Sequence, residues 1–207
     1  MKNIFFITTI FVLCHVFSIS SSSAQVYLEK IEIAPSKVYK SALENFEKKK
    51  YEEVDLAIYY IEPVMDAIKS EFGIDLKPEI QSGLKAKGTS FCTAIRRLIF
   101  YDICLIFTSI DKEGKDYSTD KLRVWFKMAY INYLLLSPVL LKDKANFAID
   151  RKIKKMFSES YLCFGSESPY GKKIPPNLKL FRKRSVRIIE ELIGVFPEFK
   201  EEVESKK

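Results

Sequence analysis

Two stretches of this chain are apolar almost all the way round a helix, and they decide what it can fold into. The first is Leu98-Ile-Phe-Tyr-Asp-Ile-Cys-Leu-Ile-Phe107, and the second runs from Val124 to Leu141. A helix of that kind belongs in a protein core or in a bilayer. The first is too short to cross a membrane, which takes about 20 apolar residues. The second is long enough, but Lys127, Asn132 and Ser137-Pro138 interrupt it, and such groups are costly in lipid. Both read as core helices, the second broken at Pro138.

The remaining segments repeat their apolar residues every three or four positions. Val54, Ile58, Ile61, Met65 and Ile68 are the clearest run. Helices are expected from a Ser36 cap to Lys48-Lys49-Lys50, and from Tyr51 to Glu71 with a kink or break at Pro63. Others are expected from Pro78 to Gly88, from Thr89 or Ser90 to Ile110, and from Ser118 or Thr119 to Leu136. The last two run from Asn146 to Phe164 and from Leu178 to Ile193. A loop rich in Gly and Pro fills residues 165–177. Ile99 and Leu134 fall on predicted inward faces. No repeat emerges near a period of about 34 residues, so a solenoid is not expected. The fold class is all-α: a single-domain bundle of seven or eight helices around two strongly apolar central helices.

The first 24 residues predict an address. Lys2 precedes an uncharged apolar run from Ile4 to Phe17, then a serine tract and Ser22-Ser23-Ala24. That order of charge, apolar run and small residues is a secretory signal peptide over residues 1–24. Cys14 lies within the run, but the Leu13 before it is too bulky for lipid attachment. The chain then divides into a helical domain, residues 25–197, and a charged, frayed tail, residues 198–207. Loss of Lys2 lowers the formal charge from +7 to +6. The expected location is periplasmic or extracellular, with no transmembrane segment in the mature chain.

Several chemistries drop out. The sole histidine, His15, lies in the signal segment, so histidine triads and histidine-ligated zinc or haem are not expected. No Gly-rich phosphate loop, nucleophile elbow, zinc motif or calcium loop is present, and no cofactor is expected. Cys92, Cys104 and Cys163 remain after cleavage. Cys92 and Cys104 stand about 18 Å apart on one helix and cannot bond to each other. Cys163 pairing with either, or three thiols, are the alternatives.

Asp102 is the sharpest single residue. Ile95, Leu98 and Ile106 share its helix face, so its carboxylate should be buried and needs a partner. Arg96, Arg97, Lys127 or a tyrosine hydroxyl are candidates. Asp102, Lys127, Tyr130 and Tyr133 thus form a candidate buried polar site. Asp55, Tyr59, Tyr60 and Glu62 offer oxygen ligands on another helix. Charge is polarised as well. Residues 142–187 hold thirteen basic and four acidic side chains, whereas residues 44–79 hold ten acidic and five basic. Lys179, Arg182, Lys183 and Arg187 make the last helix basic on its outer face, a candidate contact for an anionic surface. The leading functional class is a binding or scaffold protein that recognises a protein or envelope component, acidic or anionic. Genomic nucleic acid is not expected as a partner outside the cytoplasm. A small-ligand or metal carrier and a histidine-independent enzyme are the other classes.

Overall fold

The computed structural model describes residues 35–167 and 173–199. The expected signal segment, the lead-in and the last eight residues lie outside the described residues. Seven α-helices are present among those described: α1 Pro35–Glu47, α2 Tyr51–Phe72, α3 Lys77–Ala86, α4 Thr89–Glu113, α5 Thr119–Leu140, α6 Phe147–Tyr161 and α7 Leu178–Val195. The all-α bundle expected from the sequence is what the chain forms. A hairpin of two two-residue strands, β1 Ser166–Glu167 and β2 Lys173–Ile174, interrupts the predicted loop, with Ser166 opposite Ile174. The chain divides into two compact units, residues 1–105 and 106–207, and the dividing point falls inside α4.

Helix ends follow the local chemistry. Gly73 closes α2 in the left-handed region (φ 70°), and its N–H reaches Lys69 O at 2.8 Å. Ser118 caps α5 by accepting from Lys121 N at 3.3 Å, and Asn177 caps α7 by accepting from Leu180 N at 2.9 Å. Neither Pro63, expected to kink or break α2, nor Pro138, expected to break α5, ends its helix. Pro63 lies inside α2 and Pro138 inside the last turn of α5. Each proline is exposed, and so are Tyr59 and Leu134, the residues four positions earlier. The carbonyl that loses its intrahelical bond therefore lies on the wet side, where water replaces it.

In the first unit α1 packs along α2, and Tyr39, Val54, Ile61, Ile68, Phe91, Leu98 and Ile99 are buried. Phe46 stacks on Phe91 at 4.4 Å. Gly83 of α3 faces the start of α4 so closely that a Cβ would stand 2.7 Å from the Phe91 backbone. The second unit is built on rings: Phe107, Phe126, Phe157, Phe164 and Phe181 are all buried. Phe199 is buried too and lies 4.9 Å from Phe196. The charged tail expected from Glu198 onward therefore loses its first two residues to the packed body, because it begins with an aromatic anchor.

α4 meets its expectation, with nearly every face buried from Phe91 to Ile110. α5 does not. It buries Leu122, Trp125, Phe126, Ala129, Tyr133 and Leu136 on one face only. Val124 (56% exposed), Ile131 (46%), Leu134 (38%) and Leu141 (39%) lie on the other. Leu134 is thus not the core residue the sequence predicts. Apolarity all round hid which side faced inward. Leu134→Ala should cost under ~1 kcal/mol in a urea titration, well short of the roughly 2–5 kcal/mol of a buried leucine truncation. A loss in the buried range would return Leu134 to the core.

Candidate interaction surfaces

Of the residues predicted to form a buried polar site, Asp102 belongs to the first unit and Lys127, Tyr130 and Tyr133 to the second. Asp102 is 1% exposed, as its helix face required. One partner is a tyrosine: Tyr39 Oη of α1 donates to Asp102 Oδ2 at 2.9 Å. Arg97, one of the proposed partners, pairs with Glu79 of α3. Lys127 is exposed, with its ammonium 5.7 Å from the centre of the Tyr161 ring. Tyr130 packs against Phe157 at 5.3 Å.

Tyr133 belongs to a cluster the sequence reading missed. Asp150 of α6 is 3% exposed. Its Oδ1 accepts from Tyr133 Oη and from Ser137 Oγ, each at 2.6 Å, and Lys154 Nζ lies 2.8 Å from Oδ2. Burial would push the Asp150 carboxyl up. The hydrogen bonds from Lys154, Ser137 and Tyr133 outweigh it and hold the group below the usual carboxylate value. Burial, then the adjacent carboxylate, pushes the Tyr133 phenol far up, so it stays a proton donor. Every oxygen of Asp150 is engaged, and this cluster ties α5 to α6 rather than presenting a reactive group. The count that singles out Asp102 also finds Asp150, since Ile153 and Phe157 lie three and seven positions ahead of it.

Cys92, Cys104 and Cys163 all stand as thiols, one of the two alternatives the sequence left open. Burial raises the Cys163 thiol, while Arg184, whose Nη1 lies 3.6 Å from Sγ, pulls the other way. The net rise leaves a poor nucleophile at neutral pH.

The basic helix needs correction at one position. Phe181, Ser185, Ile188 and Leu192 of α7 face inward and Lys179, Arg182, Lys183 and Arg187 face out, as predicted. Arg182, however, is committed. Its Nε donates to both Asp111 oxygens, at 2.7 and 2.8 Å, and the Asp111 side chain is nearly buried. Arg184 is also internal, donating to Glu159 O. Lys179, Lys183 and Arg187 remain at spacings of four along one exposed ridge, with no ion pair to them among the described residues.

Asp55, Tyr59 and Glu62 of α2 share a shallow groove of about 360 Å³ with Gln81, Leu84 and Lys85 of α3. Lys77 draws on Glu62 at 3.9 Å and on Asp66 at 3.0 Å, so those carboxylates are partly spent. Tyr60 points away, exposed beside Tyr59. Among the described residues no group of three or more His, Cys, Asp or Glu is arranged to hold a metal ion. No helix among them is long and apolar enough to cross a membrane. Comparison with protein-family models, curated proteins and solved structures found no match.

Proposed function

We propose that this is a binding or scaffold protein working outside the cytoplasm, and that α7 engages an anionic partner, either an acidic protein or an anionic envelope component. The observation that carries the reading is the ridge of Lys179, Lys183 and Arg187. These three cations lie on one exposed helix edge, while Arg182 and Arg184 beside them are used internally. Cations aligned without counter-charges raise the local potential and steer an anionic surface onto the helix. The rigid backing, Phe181, Ile188 and Leu192 in the core, holds the ridge in place without help from the partner.

The test uses the exported protein with anionic vesicles and with an immobilised acidic protein. Binding should occur near 0.1 M salt and be lost near 1 M, as the Debye length falls from about 10 Å to about 3 Å. Replacing Lys179, Lys183 and Arg187 together by Glu should abolish it with the helical circular dichroism unchanged. Arg182 must be left in place, because a carboxylate there would face Asp111 and destabilise the fold. Equal behaviour of the wild type and the triple variant at every salt concentration would discard the anionic partner.

A further inference from the structure

The outward face of α5 is apolar where a surface helix is normally polar. Its exposed positions are Asp120, Val124, Lys127, Ile131, Leu134, Pro138 and Leu141. They alternate spacings of three and four over the whole 22-residue helix and its first following residue, which keeps helical backbone (φ −72°, ψ −5°). That is the seam spacing of a helix meant to lie along another helix. On a straight helix such a row drifts by about 20° per seven residues, and two helices that wrap slightly keep it in contact. Met128 and Leu135, half-buried, flank the row.

We propose that the occupant of this face is α5 of a second copy of the chain, packed antiparallel about a two-fold axis at Ile131. The charges at the two ends of the seam select this arrangement. Asp120 lies eleven residues before Ile131 and Lys142 eleven residues after it, both exposed; Asp120 meets Arg123 of its own helix at 3.4 Å, a surface pair that leaves its side chain 91% exposed. Opposed antiparallel with Ile131 against Ile131, each copy sets Asp120 beside the other's Lys142, so two matched pairs close the seam at its ends. A parallel pair would set Asp120 on Asp120 and Lys142 on Lys142, and like charges repel. A lipid surface would match only one end. Lys127 does not obstruct the seam, because its ammonium turns out over the Tyr161 ring and leaves the aliphatic stem for contact. The symmetric contact is self-complementary, so assembly stops at two copies. It does not rest on the basic ridge of α7, and it differs from that contact in surviving high salt, since its core is apolar.

Sedimentation of the exported protein from low to high micromolar concentration should give a dimer at both low and high salt. Ile131→Glu should convert it to a monomer while the helical circular dichroism stays unchanged. Asp120→Lys alone should weaken the dimer several-fold, and the exchange Asp120→Lys with Lys142→Asp should restore it. Ile131→Cys should cross-link two chains on mild oxidation, whereas Leu56→Cys, exposed on α2, should not. The proposal is overturned by a monomer at all concentrations, by a dimer indifferent to Ile131→Glu, or by a charge exchange that fails to rescue. Salt-resistant binding of the monomer to vesicles, lost in Ile131→Glu, would assign the face to lipid and overturn it as well.

Discussion

Asp150→Ala should lower the unfolding free energy by about 3–5 kcal/mol, because it orphans two buried hydroxyl donors at roughly 1–3 kcal/mol each and removes a charged acceptor. Tyr133 and Ser137 both point at Asp150 Oδ1, and neither hydroxyl has water to turn to, since both residues are buried. Asp150→Asn keeps an acceptor and should cost less, about 1–2 kcal/mol, the difference between a charged and a neutral acceptor. The acid limb gives a second readout. The folded carboxyl titrates below its unfolded value, so the stabilisation is complete above an unfolded pKa of about 3.9. It is lost as pH falls through the folded value, when the protonated acid can no longer accept from both hydroxyls and Lys154. Urea titrations should therefore show the wild type losing stability below about pH 4, with that part of the slope missing in Asp150→Ala. A loss under ~1 kcal/mol at neutral pH would mean that the cluster is solvated and does not hold α5 to α6.

Helix positions were legible because they depend on local signals that act within one or two turns: the cap at Ser118, the left-handed Gly73 and the three-four spacing of Val54, Ile58, Ile61, Met65 and Ile68. The burial of Asp102 was legible for the same reason, since its apolar neighbours are its own helix turns. Its partner was not. Tyr39 lies 63 residues away in sequence, and nothing in either segment marks the pairing. Lys127 was an attractive partner on charge alone, but a long flexible cation keeps its head in water when it can.

Two failures share another cause. Pro63 and Pro138 break the rule for helix interiors because the lost hydrogen bond falls on the solvent side, and sequence alone does not say which side that is. In α5 the inward face could not be told from the outward one because both are apolar. That ambiguity is informative in itself: a helix with apolar residues to spare on its wet face is carrying a pattern that the packing among the described residues does not use. For the basic helix, the outward direction of Arg182 was read correctly. The nearly buried carboxylate waiting for it at Asp111 was not, because it follows the predicted end of α4 at Ile110, beyond the periodicity that assigns a face.

The ring cluster of the second unit sets the other large effect. Phe126 meets five rings: Phe107 at 5.9 Å, Phe157 at 5.6 Å, Tyr161 at 6.4 Å, Phe164 at 5.3 Å and Phe181 at 5.9 Å. These come from α4, α6, the turn after it and α7, so one side chain of α5 touches every element of the unit's core. Phe126→Ala removes the ring that the others pack on, and the backbone around it is held by helices that cannot collapse freely into the space. The cost should reach the upper part of the ~3–5 kcal/mol range for a buried phenylalanine, because aromatic pairs add about 0.5–1.5 kcal/mol beyond the area they bury. Near-UV circular dichroism should weaken along with the urea midpoint, since the surviving rings lose their fixed neighbour. Phe126→Leu keeps apolar volume and should recover part of the loss. Leu134, two turns further along the same helix but on its outer face, provides the internal control, with an expected loss under ~1 kcal/mol. Similar losses for Phe126→Ala and Leu134→Ala would contradict the face assignment of α5, and with it both the ring cluster and the open seam on the opposite side.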